Sequence, residues 1–199
     1  KTFPNLNTSF PFHLSINRLQ HGYPAHRHDY LEFSYVIEGA GAESINGDRH
    51  PMLPGTFTFV LPYQVHELFT DPGHTLVLFN CSFGMDLLME PSHEQAGGLS
   101  GLLDDAAGFP PYVHFESNEL EKIRSLLEQM YEEYKGEAWG QAAMLKAKLA
   151  ELLVLFERRR RRNSTRLALP QPEGKRERSI WPIIQYIHLH YHEEHITLS

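Results

Sequence analysis

The chain has 199 residues, of which 41% are hydrophobic and 22% are charged, so it can form one globular domain plus a smaller appendage. A net charge of -7 argues against a nucleic-acid-binding surface spread over the whole molecule. The single cysteine, Cys81, excludes an internal disulfide framework and favours a reducing, cytoplasmic setting. No apolar run approaches the length that spans a bilayer, and we expect no membrane segment.

The sequence pattern of residues 12–81 predicts a β domain. The segments FHLSINRL (Phe12–Leu19), LEFSYVIEG (Leu31–Gly39) and TFTFVL (Thr56–Leu61) alternate or run apolar, and they are rich in aromatic and β-branched residues. Turn signals separate them at Asn46-Gly47, at Pro54-Gly55 and at the Asp-Pro-Gly of residues 71–73. Short strands broken at regular intervals predict a sandwich or a small barrel.

Two helices are predicted between residues 118 and 162. Asn118 and Glu121 have the spacing of a capping pair, and Gly136 ends the first helix. Each helix has an apolar seam at helical spacing, formed by Leu120, Ile123, Leu127, Met130 and Tyr134, and then by Ala142, Leu145, Leu149, Leu152 and Phe156. The seams can pack on the β domain, against each other, or between subunits. For the last case we expect a dimer interface through Leu145, Leu149, Leu152 and Phe156.

A basic segment follows the second helix. Residues 157–178 contain nine Lys or Arg and three Glu, and Pro170, Pro172 and Gly174 argue against a packed element. We therefore predict a linker over 163–178. Arg158–Arg162 suit the negative end of the helix dipole, which favours a solvated structural role over phosphate binding. The segment SIWPIIQYIHLHYHEEHITLS then predicts the start of another amphipathic helix over 179–199.

Three polar residues lie at even spacing before and within the second of these strand segments. His26, His28 and Glu32 would share one face of a strand, which Ser34 continues, while Phe33 and Tyr35 would face outward. His66 follows one hairpin later. Three imidazoles and a carboxylate that converge inside a barrel would suit a divalent transition metal such as Zn, Ni, Fe or Mn. The alternative is a hydrogen-bonded polar cluster that contacts a ligand directly.

The spacing of these residues resembles the two motifs of the cupin family. Gly22-x3-His26-x-His28-x3-Glu32-x6-Gly39 is similar to the first motif, and Gly55-x6-Pro62-x3-His66 is similar to the second. The chain departs from the usual pattern in the short step from Gly22 to His26 and in the lack of a glycine between Pro62 and His66. The resemblance implies a jelly-roll β-barrel over roughly residues 8–82. The implied metal ligands are His26, His28, Glu32 and His66, and the implied effector-binding residues are these four with Ser34 and Tyr63.

The order of the segments is similar to that of AraC/XylS-family transcription regulators. The resemblance implies an α+β chain with a cupin-like effector-binding domain over 1–117, a dimerising helical hairpin over 118–162 and a basic linker over 163–178. Residues 179–199 would be the first helix of a helix-turn-helix domain, so we expect a fragment that stops where that domain begins. The implied partners are a small-molecule effector, such as a sugar, a second copy of the chain, and DNA through the rest of that domain.

The alternative function is that of a metal-dependent cupin enzyme, such as a dioxygenase or a sugar isomerase. The histidine and glutamate set favours an enzyme, whereas the helical hairpin and the basic linker favour a regulator. A sensor needs only binding energy, while an enzyme also needs a positioned acid or base. We therefore expect a sensor without catalytic residues.

Overall fold

A computed structural model describes residues 8–88, 99–103 and 109–167, together with residues 183, 186 and 187. Within these ranges nine β-strands precede two α-helices. The strands are β1 (Phe12–Leu19), β2 (Tyr23–His26), β3 (Leu31–Glu38), β4 (Gly41–Ile45), β5 (Asp48–Met52), β6 (Thr56–Val60), β7 (His66–Thr70), β8 (Leu76–Phe83) and β9 (Tyr112–His114). The helices are α1 (Ser117–Lys135) and α2 (Gln141–Leu167), and short 3-10 helices cover Met85–Leu87 and Leu99–Leu103.

The strands form two antiparallel sheets that face each other. The five-stranded sheet has the order β1-β8-β3-β6-β9, and the four-stranded sheet has the order β2-β7-β4-β5. Apolar side chains from both sheets meet between them, including Val36 and Leu78 from the first sheet and Met52 and Leu68 from the second. This arrangement confirms the predicted cupin-type jelly roll followed by two helices.

The central strand β3 is buried on both of its faces. Its inward face carries Glu32, Ser34 and Val36 toward the four-stranded sheet, as the alternation predicted. Its other face carries Phe33 and Tyr35 outward from the barrel, and both are buried in a second apolar cluster shared with α1 and α2. The helices therefore form a third layer over the five-stranded sheet.

The apolar seam of α2 belongs to that second cluster. Leu145, Leu149, Leu152 and Phe156 are each at most 2% exposed. The ring of Phe156 lies 5.1 Å from that of Phe57 and 5.9 Å from that of Phe59, both on β6. Side chains with no free surface cannot contact a second copy while this packing persists. The dimer interface expected through these four residues stays a prediction, and it would require them to leave the chain's own sheet, which they cover in this structure.

The ends of the helices also differ from the prediction. Glu116 and Glu119 form the capping box of α1, in place of Asn118 and Glu121. The α2 helix continues to Leu167, so residues 163–167 are helical and are not part of a linker. The rest of the predicted linker, and the predicted helix over 179–199 apart from residues 183, 186 and 187, lie outside the described residues.

Two of the five consecutive arginines are buried, which corrects the expectation of a solvated role. Arg159 contacts the carboxylates of Glu116 and Glu119 at the start of α1. Arg160 pairs with Glu157 and lies over the ring of Phe156. A guanidinium is tolerated in such a position when its charge is paired and its plane stacks on an aromatic ring. The contacts of Arg159 join the C-terminal part of α2 to the N-terminus of α1.

No helix in the described part of the chain is both long and apolar enough to cross a membrane.

Replacing Phe156 with alanine tests whether the α2 seam is internal. We expect Phe156→Ala to lower the free energy of unfolding by about 3–5 kcal/mol in urea titrations, because a buried aromatic contact leaves a cavity. Lys146→Ala on the same helix is the control, since this side chain is exposed, and we expect a change within about 0.5 kcal/mol. If Phe156→Ala shifted a monomer–dimer equilibrium and left unfolding unchanged, the seam would lie between subunits instead.

Candidate functional site

Three histidine side chains meet at one end of the space between the sheets. They are His26 at the end of β2, His28 in the connection to β3, and His66 at the start of β7. One potential ligand atom from each lies within 4.8 Å of the others. His28 and His66 are buried and His26 is partly buried. The structure thus brings together the three imidazoles that the sequence predicted.

The pairing of β2 with β7 places His26 directly opposite His66. Gly22, which precedes β2, makes this pairing feasible. It has a φ of 73°, and a Cβ atom there would lie only 2.2 Å from the carbonyl oxygen of Leu68 on β7. Only glycine combines the left-handed conformation with so close a backbone approach.

Glu32 lies beside the histidine cluster. Its carboxylate oxygens lie 3.8 Å from Nε2 of His28 and 4.0 Å from Nε2 of His66. It also accepts a long hydrogen bond of 3.5 Å from the hydroxyl of Ser82. Burial raises the pKa of Glu32, and the nearby His66 opposes that effect. A cation at the cluster would therefore favour the ionised form of this residue.

The three histidines use the same ring nitrogen to bond the protein. Nδ1 of His26 contacts the carbonyl oxygen of Pro24 at 2.9 Å, and Nδ1 of His28 contacts that of Tyr30 at 2.9 Å. Nδ1 of His66 contacts Oε1 of Glu43 at 3.1 Å. Carbonyl and carboxylate oxygens only accept hydrogen bonds, so we assign the ring hydrogen to Nδ1 in all three residues. Each Nε2 then carries a lone pair.

With the ring hydrogens on Nδ1, two hydrogen-bond acceptors, the Nε2 atoms of His28 and His66, face each other. Nε2 of His28 lies 3.2 Å from Nε2 of His66. Burial lowers the pKa of His28 to about 4, and His66 adds to the effect. Burial also lowers the pKa of His26. Near neutral pH the His26 and His28 rings are therefore uncharged, and a metal ion or the hydroxyl groups of a ligand could occupy the acceptors.

Glu43 on β4 is the main site residue that the sequence reasoning missed. It is 1% exposed, and besides its contact with His66 its Oε2 lies 3.5 Å from Nε2 of His50. Burial alone would raise the pKa of Glu43, but the imidazoles of His50 and His66 outweigh that effect and lower it. The sequence does contain a signal for the pairing of Glu43 with His50. The Asn46-Gly47 hairpin turn sets the register of β4 and β5, and this register places the two residues opposite each other.

The two remaining predicted binding residues, Ser34 and Tyr63, differ in their exposure to solvent. Ser34 is buried and faces the interior, and its hydroxyl has no hydrogen-bond partner among the described residues. Tyr63 has a 60% exposed side chain, so its ring lies at the surface, while its backbone N–H donates to the carbonyl oxygen of His28 at 2.7 Å. Its φ of 67° is left-handed. The loop thus adopts a conformation that favours glycine although the motif lacks one.

Comparison with known proteins gives a family for this geometry. The family model of the AraC-like ligand-binding domain matches residues 12–153, which include both sheets, the histidine cluster, α1 and the first half of α2. The chain belongs to this family. The finding confirms the resemblance noted from the motifs.

The curated relatives include the HTH-type transcriptional activator RhaS of Yersinia pestis and of Yersinia pseudotuberculosis. Each is 25% identical over 150 residues, which cover 74% of this chain and 53% of the relative. The chain thus spans about half the length of these relatives.

Solved structures of cupins are similar to part of this chain. A cupin protein from Bacteroides fragilis is 18% identical, with a TM-score of 0.37, and the match covers 43% of this chain and 75% of that one. An RmlC-like cupin from Shewanella frigidimarina is 20% identical, with a TM-score of 0.34 and coverage of 42% and 68%.

Proposed function

We propose that this chain is the effector-sensing region of an AraC-family transcriptional regulator, and that it binds a sugar or a similar small molecule between its sheets. The observation that carries the proposal is the cluster of acceptors assigned to Nε2 of His26, His28 and His66, of which His28 and His66 are buried. The unbonded hydroxyl of Ser34 adds a further polar group on the same inner surface. Buried polar groups of this kind are costly unless a partner satisfies them.

A divalent transition metal is the second component of the proposed site. The donor set suits it, because His26, His28 and His66 each present Nε2 and have Nδ1 bonded to the protein. Such bonds orient a metal-binding imidazole and raise its basicity. Glu32 is close enough to complete the set. Bound there, Zn, Ni, Fe or Mn would act as a Lewis acid toward the oxygen atoms of the effector.

The metal content of the purified protein tests this component. We expect roughly one equivalent of a transition metal per chain in elemental analysis of tag-free protein that has met no chelator. His66→Ala should lose the metal because it removes a central ligand. His74→Ala is the control, since His74 is exposed in the turn before β8. Less than about a tenth of an equivalent in the wild type would leave the cluster as a metal-free polar pocket.

Effector binding is testable by thermal unfolding with a panel of common monosaccharides. A sugar that binds only the folded chain stabilises it by about 2.7 kcal/mol at a concentration of 100 times its Kd, and so raises the melting temperature. We expect this shift to be lost in Ser34→Ala and His66→Ala but kept in His74→Ala. A panel without any shift in the wild type would reject a sugar effector. A shift that survives both site variants would place the binding site elsewhere.

The second candidate function is that of a metal-dependent cupin enzyme. The proximity of three histidines and Glu32 favours it. Family membership and the RhaS relatives support the sensor instead. A metal-loaded sample that turns over a bound sugar would decide for the enzyme, whereas reversible binding of the unchanged sugar would decide for the sensor.

We further propose that the chain forms a homodimer, through the turn between α1 and α2. The side chain of Trp139 in this turn is fully exposed. Beside it lies a groove of about 550 Å³ with an apolar part formed by Ala138 and Met144. Exposed aromatic side chains are frequent anchors of interfaces. A two-fold axis near the turn would let each copy insert Trp139 into the groove of the other.

Trp139→Ala tests the dimer surface. We expect at least a roughly tenfold weaker association in sedimentation equilibrium, because an aromatic anchor contributes about 2 kcal/mol or more. Leu53→Ala is the matched control, since Leu53 is also an exposed apolar residue but lies on the β domain. A monomeric wild type, or an equal loss in both variants, would contradict this surface.

DNA binding would belong to the C-terminal part of the protein. The relatives are helix-turn-helix activators about twice as long as the matched region, and a dimer would let two such domains address two half-sites. A regulator of this kind would act in the cytoplasm, where it meets DNA.

A further inference from the structure

A buried pair outside the predicted site, Glu43 and His50, lies directly behind His66. Glu43 contacts Nδ1 of His66 with one oxygen and faces Nε2 of His50 with the other. Neither residue belongs to the three-histidine cluster, and the family motifs quoted above contain neither. The inference below concerns the control of His66 and rests on the proposed function of the histidine site.

His66 has two neutral forms with opposite consequences for the site. With its hydrogen on Nδ1, it bonds Glu43 and leaves Nε2 as an acceptor. With its hydrogen on Nε2, it would donate to Nε2 of His28, which is only 3.2 Å away. The two rings would then be hydrogen-bonded to each other. Neither Nε2 atom would remain available as an acceptor for a ligand.

We propose that Glu43 is the positioning residue of this site. It holds the hydrogen of His66 on Nδ1 and so keeps Nε2 open to a cation or a ligand hydroxyl group. An ionised carboxylate accepts hydrogen bonds but donates none, so it permits only this form of the ring opposite it. The carboxylate is almost fully buried, which strengthens the interaction relative to the same contact in water.

His50 lies on the other side of Glu43, with its Nε2 3.5 Å from Oε2 of Glu43, an oxygen that has no hydrogen-bond partner among the described residues. The ring of His50 is stacked on that of Tyr112, with centroids 4.1 Å apart and planes at 4°. Its Nε2 also lies 3.1 Å from the hydroxyl of Thr58. Tyr112 and Thr58 belong to the five-stranded sheet, whereas Glu43 and His50 belong to the four-stranded sheet. The contacts of His50 behind Glu43 therefore cross between the sheets.

The competing carboxylate is Glu32, which lies on the other side of the His66 ring. Its oxygen is 4.0 Å from Nε2 of His66, compared with 3.1 Å between Glu43 and Nδ1. Without an acceptor at Nδ1, both Glu32 and His28 would draw the hydrogen to Nε2. Removing Glu43 should therefore change the form of His66 and not merely loosen the ring.

Nitrogen NMR of the imidazole rings tests the proposal on protein freed of metal and effector, at a pH where the histidines are neutral. Long-range proton–nitrogen correlations distinguish the two forms of each ring. We expect His66 to carry its hydrogen on Nδ1 in the wild type and on Nε2 in Glu43→Leu. Glu32→Gln is the control, because Glu32 is also a buried carboxylate near the ring, and it should leave the hydrogen on Nδ1. A wild-type ring protonated at Nε2, or an unchanged ring in Glu43→Leu, would overturn the proposal.

Glu43→Gln decides the question if Glu43→Leu does not fold. The amide oxygen still accepts from Nδ1 but carries no charge, so the Nδ1 proton should move upfield from its wild-type resonance. An unmoved resonance would count against Glu43 as the positioning residue. We also expect cobalt(II) to bind Glu43→Gln about 10–100-fold more weakly than the wild type. If the wild type binds no cobalt, the metal component of the proposed function fails, while the NMR result still decides the role of Glu43.

Discussion

The alternation of side chains along β3 is the constraint on which both the core and the site depend. Glu32 and Ser34 point between the sheets, while Phe33 and Tyr35 point toward the helices, and all four are buried. A shift of one residue would place aromatic rings in the histidine cluster and a carboxylate beneath the helices. The carboxylate would then be buried among apolar side chains without a partner, so the pattern of this strand favours a single register.

The outward face of the same strand explains the helices. An apolar sheet face needs cover, and the seams of α1 and α2 supply it with residues such as Leu127 and Phe156. Their spacing is also that of a coiled-coil interface, so periodicity alone could not tell packing within the chain from packing between chains. In this structure the seam is buried within the chain, and Trp139 in the turn between the helices is fully exposed.

The parts that could be predicted from the sequence are those with local signals. The Asn46-Gly47 hairpin and the inward face of β3 follow from turn chemistry and from a period of two. The convergence of His26, His28 and His66 was expected from motif spacing. The burial of Arg159 was not, because its partners Glu116 and Glu119 lie about forty residues earlier in the chain. Glu43 was missed because its role comes from its contact with His66, which lies three strands later in the chain.

The space between the sheets has two chemically different ends. Acceptor nitrogens and two carboxylates lie at one end, and the apolar side chains Val36, Leu68 and Leu78 lie together elsewhere between the sheets. An anionic ligand would meet repulsion from Glu43, whose pKa the neighbouring imidazoles lower despite its burial, unless a metal ion intervened. A ligand with several hydroxyl donors on one edge and a C–H face on the other would suit both surroundings. This division, and not the histidines alone, is the physical reason for proposing a sugar-like effector.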